Sequence, residues 1–125
     1  MNFLYLMSDE FIELATKEIN QELAGMDAIL NSCKNNDDVI LKASDIQRHT
    51  HKIKGLAPMM GQDGLGEIAS QLDFIFKQVI DGKNVSLFYD LTECISAMKN
   101  AMNSSDYDLT KIKERILAIS ANLNS

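Results

Sequence analysis

Arg48-His49-Thr50-His51-Lys52-Ile53-Lys54-Gly55 is the stretch whose reading decides the fold. The apolar positions around it, Val39, Ala43, Ile46, Ile53, Ala57 and Met60, recur at three- and four-residue spacing, the signature of one buried face of a helix. With Ile53 turned inward, His51 lies two residues and about 200° away and points outward. Lys54 (i+3) and Gly55 (i+4) then share the face of His51, because side chains three and four apart are neighbours on a helix. The same reasoning puts Gln47 and Arg48 one turn before it, as further candidate residues of the same site. An amphipathic helix with an outward imidazole, a nearby ammonium and a bare piece of backbone is the unit from which the rest of the chain is read.

Working outward, five helices are predicted. They cover about 8–33, 38–60, 64–80, 86–102 and 108–123, and no segment shows convincing strand alternation. Ser8 is placed as the cap of the first, with Ile12, Ala15, Ile19, Leu23, Met26 and Leu30 as its apolar stripe. Gly61 ends the second and Asp63 is placed as the cap of the third. Leu65, Ile68, Leu72, Ile75 and Val79 form the buried face of the third helix. Leu87, Leu91, Cys94, Met98 and Ala101 do so for the fourth, and Leu109, Ile112, Ile116 and Ile119 for the fifth. Short polar connections between long amphipathic helices imply antiparallel neighbours. The expectation is an all-α, up-down four-helix bundle with an additional fifth C-terminal helix, in a single domain spanning 1–125.

Bulk properties limit the function classes. A net charge of −6 over 125 residues lacks the basic face that nucleic-acid backbones require. Cys33 and Cys94 lie far apart without CxxC spacing, which reads as two free thiols in a reducing compartment. The apolar start, Asn2 to Met7, is too short for a signal peptide or a membrane span, so the expectation is a cytoplasmic protein that does not enter a membrane. Gly61-Gln62-Asp63-Gly64-Leu65-Gly66 has no preceding strand and no following Lys-Ser/Thr, so it reads as a helix-hairpin turn rather than a phosphate loop. Lys42 and Lys52 are assigned to solvated surface, and Met59 and Met60 to the core. His49 lies about 200° around the helix from His51, so the pair cannot chelate one metal, and His49 reads as structural or surface.

His51 is the candidate for chemistry: an exposed imidazole that could carry a phosphoryl group to a docking partner. Lys54 would stabilise the negative charge, and Gly55 would leave clearance for a partner's active site. Gly55 costs the helix about 1 kcal/mol relative to Ala, so it wants a reason. Counting from Gly61, His51 lies ten residues back and Asp73 twelve forward. In an antiparallel hairpin rising about 1.5 Å per residue these positions are nearly level. Asp73 is therefore the candidate to orient His51 or to pair with Lys54, with Glu67 a less favoured alternative.

His51-Lys52-Ile53-Lys54-Gly55 matches the H-x-x-K-G signature of histidine phosphotransfer (HPt) domains. With Arg48 before it and Gly61 after it, the segment most resembles the N-terminal phosphotransfer domain of CheA-type chemotaxis kinases. The resemblance implies that His51 is the phosphoacceptor, through Nε2, with Lys54 and Gly55 on the phosphate side. It also implies a kinase catalytic domain that supplies the group and a response-regulator receiver whose aspartate takes it. ATP and Mg²⁺ then belong to those partners. The expectation that follows is a chain that binds no cofactor or metal itself, is not an enzyme on its own, and is monomeric as an isolated domain. Two positions depart from the family pattern. Asp73 stands where a Glu is usual, and Ser70 stands where a second His is common. Pro58 removes the hydrogen bond to the Lys54 carbonyl. These departures leave one alternative function, a helical adapter that binds a kinase or receiver without carrying phosphate.

Overall fold

The computed structural model describes residues 3–123, with side chains from residue 9 onward. Every regular element among the described residues is helical: α1 (Phe3–Asn31), α2 (Asn36–Leu41), α3 (Ala43–Leu56), a 3-10 turn (Pro58–Met60), α4 (Asp63–Ile80), α5 (Phe88–Asn103) and α6 (Thr110–Leu123). No described helix is long and apolar enough to cross a membrane.

Six helices replace the five expected, because the helix expected over 38–60 is divided. Its first part, α2, starts before Asp38: Asn35 is the cap, its side chain accepting from the Asp38 amide at 3.0 Å. Asp38 in turn accepts from the Lys34 amide at 2.8 Å, so one bond satisfies an orphan amide of the helix start and the other ties the preceding residue to it. Lys42, at φ −102° and ψ 13°, is the joint between α2 and α3. At the other end Pro58 cannot donate into the ladder, so α3 stops at Leu56 and the chain tightens into the 3-10 turn. Gly61 closes that turn at φ 81°, a left-handed conformation that suits a residue without a Cβ.

Other boundaries shift less. Residues 3–7 contain no Gly or Pro, and α1 begins at Phe3, so Ser8 sits inside the helix rather than capping it. Asp63 is the first residue of α4, where its charge faces the positive end of the dipole. The fourth predicted helix begins at Phe88 instead of Ser86, and a residue distant in sequence sets that start. Asn36 Oδ1 accepts from the amides of Leu87 at 2.7 Å and Phe88 at 3.1 Å, while its Nδ2 donates to the Val85 carbonyl at 2.8 Å.

The predicted stripes of α1, α3, α4 and α5 meet in one core that includes Ile19, Leu23, Met26, Ile46, Ile53, Ile68, Leu72, Leu91 and Met98. Phe76 is also fully buried in it. Two expectations fail: Ile12 and Met59 are exposed. Ile12 precedes the stretch of α1 that the other helices cover, and Met59 lies on the 3-10 turn, whose three-fold pitch breaks the helical register. Cys33 and Cys94 are buried free thiols, and burial pushes the Cys94 thiol up to about 12.

Packing is extensive between α3 and α4, with further contacts of α1 on α3, α1 on α5, α4 on α5 and α6 on both α4 and α5. From Gly66 to Asp73 along α4, the facing partners run back from Pro58 to Gln47, so α3 and α4 are antiparallel. A Cβ on Gly66 would meet Pro58 Cγ at 3.0 Å, so this glycine lets the turn sit directly on α4. The close hairpin that results is what sets the outward face of α3 beside α4.

Candidate functional site

His51 projects from α3 with 60% of its side chain exposed. Its Nδ1 lies 3.4 Å from Asp73 Oδ1 on α4, across the hairpin. That distance is an ion-pair approach, beyond a well-formed hydrogen bond. Among the described residues no partner reaches Nε2, which is therefore the ring nitrogen open to an incoming group.

Asp73 is 2% exposed and collects four groups around its two oxygens. Oδ1 accepts from Gln47 Nε2 at 2.7 Å as well as facing His51. Oδ2 takes the ammonium of Lys77 at 3.0 Å and that of Lys54 at 3.4 Å. Burial works against the charged carboxylate, but the hydrogen bonds from Gln47, Lys77 and Lys54 and the charge of Lys77 outweigh it, holding the carboxyl below its usual range. Asp73 thus stays an anion at neutral pH, facing the imidazole as an acceptor.

The sequence expectation placed Asp73 level with His51 and Lys54, and the structure brings all three together. The shortest contacts belong to other residues. Gln47, expected as a possible site residue one turn before His51, holds the carboxylate most closely, and Lys77 was missed. The signal for Lys77 was present, since it follows Asp73 by four residues on one helix, the spacing of an intrahelical pair. Glu67 pairs with Lys113 of α6 at 2.6 Å, away from His51. Arg48 is mostly exposed and pairs with Asp45 one turn before it.

Gly55, one turn beyond His51, is open: a Cβ there would meet nothing within 4 Å. No packing demand inside the molecule explains a glycine at this exposed helical position. Ser70 lies with Lys54, Asp73, Phe74, Lys77 and Ser120 along a cleft beside the carboxylate. A second cleft, on the α1 side of His51, is lined by Glu22, Gln47, Arg48, His49 and Lys52.

His49 occupies that second side, turned onto α1. Its Nδ1 is 2.8 Å from Oε1 of Glu22, a buried carboxylate, and Lys52 Nζ stands 3.7 Å from the same oxygen. The ring lies over Gly25, where a Cβ would come within 2.5 Å of its Cε1. His49 is thus a packed structural residue, and Gly25 is the gap that admits it. Among the described residues no group of three or more His, Cys, Asp or Glu could hold a metal ion.

Comparison with protein-family models, with curated proteins and with solved structures gave no match.

Proposed function

We propose that this chain is a phosphorelay module in which His51 accepts a phosphoryl group from a histidine kinase catalytic domain and passes it to the aspartate of a response-regulator receiver. The observation that carries the reading is the two-sided environment of His51. Nδ1 faces a buried, cation-compensated carboxylate, and Nε2 faces solvent on a helix whose next turn has no side chain at Gly55.

The chemistry follows from that asymmetry. A proton on Nδ1 directed at Asp73 leaves the lone pair on Nε2. Attack by Nε2 on the terminal phosphorus of ATP in the kinase forms the N–P bond and breaks the bond to the bridging oxygen, and ADP leaves. The imidazole becomes cationic as the bond forms, and the Asp73 carboxylate offsets that charge. Lys54, one turn after His51 on the same helix, would turn to the phosphoryl oxygens. In the second step a receiver carboxylate attacks phosphorus, the N–P bond breaks, and neutral imidazole returns. Mg²⁺ and the nucleotide are supplied by the partners.

The helix contacts support a scaffold of up-down type. α1 touches α3, α3 touches α4, α4 touches α5, and α5 returns to α1, a closed cycle of four with α6 against α4 and α5. Such a bundle holds His51 on a rigid face and leaves the moving parts to the partner. In this reading the protein works in the cytoplasm as a monomer between two partners, and a chemotaxis pathway is the setting the CheA-like motif suggests.

The 3.4 Å separation of His51 from Asp73 favours a second reading, an adapter that binds kinase or receiver without carrying phosphate. Incubation with ATP, Mg²⁺ and a CheA-type kinase core separates the two. Acid-labile, base-stable label that requires His51 and chases onto a receiver supports the carrier. A folded chain that binds a receiver yet takes no label from an active kinase supports the adapter.

A further inference from the structure

The two lysines at Asp73 are not equivalent, and their difference points to a division of labour. Lys77 lies closer to Oδ2, 3.0 Å against 3.4 Å for Lys54. Lys77 also sits four residues after Asp73 on the same helix, so its tie does not depend on how α3 packs. Lys54 reaches across from α3, the helix that carries His51. The other carboxylate oxygen is already held by Gln47 at 2.7 Å. A carboxylate that is 2% exposed needs its charge compensated at all times, and removing its last cation would be costly. With Gln47 on one oxygen and Lys77 on the other, Lys54 can leave without stranding that charge.

We propose that Lys77 is a positioning residue: it remains the counter-ion of Asp73 so that Lys54 is free to move to a phosphoryl group on His51. Gln47 assists by pinning Oδ1, which keeps the carboxylate facing the imidazole while Lys54 is away. Without Lys77, Lys54 becomes the sole lysine on a buried carboxylate and is retained there. The proposal rests on His51 being the phosphoacceptor, but it does not depend on any kinase.

The test uses phosphoramidate, which phosphorylates histidine directly. Nε2 displaces ammonia from phosphorus, so the N–P bond to ammonia breaks as the bond to the ring forms. The rate of labelling at His51 is followed by ³¹P NMR for the full chain and for Lys54→Met, Lys77→Met, Lys77→Arg and the Lys54→Met/Lys77→Met pair. Circular dichroism melts check that each variant is folded. Lys77→Met is expected to slow labelling about three- to fivefold, as Lys54→Met does, which is the scale of one partly exposed charge pair. The slowing in the double variant should fall well short of the product of the two singles, because both changes remove the same delivery, and Lys77→Arg should restore the wild-type rate.

Wild-type labelling kinetics in Lys77→Met, or a double variant whose slowing is the product of the two singles, overturns the proposal. A His51 that phosphoramidate does not label in the wild-type chain overturns both this inference and the function on which it rests. Failure with the kinase alone, alongside the expected phosphoramidate pattern, counts against the relay reading and supports the division of labour.

Discussion

Two histidines, two residues apart on α3, meet two buried carboxylates in opposite ways. His49 closes on Glu22 at 2.8 Å, lies on α1 over Gly25, and is largely enclosed. His51 stays 3.4 Å from Asp73, is 60% exposed, and is followed by a glycine with nothing around it. The first glycine is required by a contact within the molecule, and the second has no such contact. Together they separate a histidine used to join helices from one held ready for something outside. The carboxylates differ in the same sense. Glu22 faces His49 with Lys52 at 3.7 Å, whereas Asp73 keeps Gln47, Lys54 and Lys77 as well as His51.

The comparison breaks most directly at the imidazoles. His51→Gln should abolish phosphoryl incorporation while leaving the thermal transition close to wild type. His49→Gln should lower stability but retain label at His51. Label that follows His49 instead would reverse the assignment, and acid-lability of the product on each variant decides it.

The glycines give the next largest effect. Gly25→Ala forces a Cβ into the His49 ring, and it should destabilise by about 1–2 kcal/mol net, overpacking outweighing the gain in helix propensity. In a His49→Ala background the ring is gone, and the same change should stabilise by up to about 1 kcal/mol. Urea unfolding of the four proteins tests that change of sign. Gly55→Ala meets open space, so it should stabilise the chain by about 1 kcal/mol or slightly less. The same substitution should slow transfer to or from a partner without slowing labelling by phosphoramidate.

The smallest effect lies in acid. Because its neighbours hold the Asp73 carboxyl below its usual range, its contribution to stability is fully present above the unfolded value of about 3.9 and is lost as pH falls through the lower native value. Asp73→Asn should therefore flatten the stability curve below about pH 4 relative to wild type, read from denaturant midpoints at several pH values.

How much of this was legible in the sequence follows from the range of the interactions involved. The stripes of α3, α4 and α5 were readable because periodicity is local and apolar burial is insensitive to small errors of register. His51, Lys54, Gly55 and Gln47 could be assigned to one face by spacing alone, and counting from Gly61 brought Asp73 level with them. The joint at Lys42 was not visible, since no Gly or Pro marks it. Met59 reads as core filler beside Met60 from its apolar side chain alone, but the 3-10 turn after Pro58 leaves it exposed. The fit of Gly25 under His49 depends on how α1 and α3 approach, which no spacing within either helix encodes. Lys77 obeys a spacing rule with Asp73 but lies on α4, remote in sequence from the residues around His51.

Asn36 has a consequence for how the molecule opens. A single amide side chain on α2 holds Val85, Leu87 and Phe88, residues 49 to 52 positions away in the chain. A six-residue helix has little persistence by itself, so α2 relies on such long-range ties. The first turn of α5 relies on the same side chain for two of its free amides. These segments are therefore expected to open as one unit, with the Leu87 and Phe88 amides exchanging with solvent when α2 lets go.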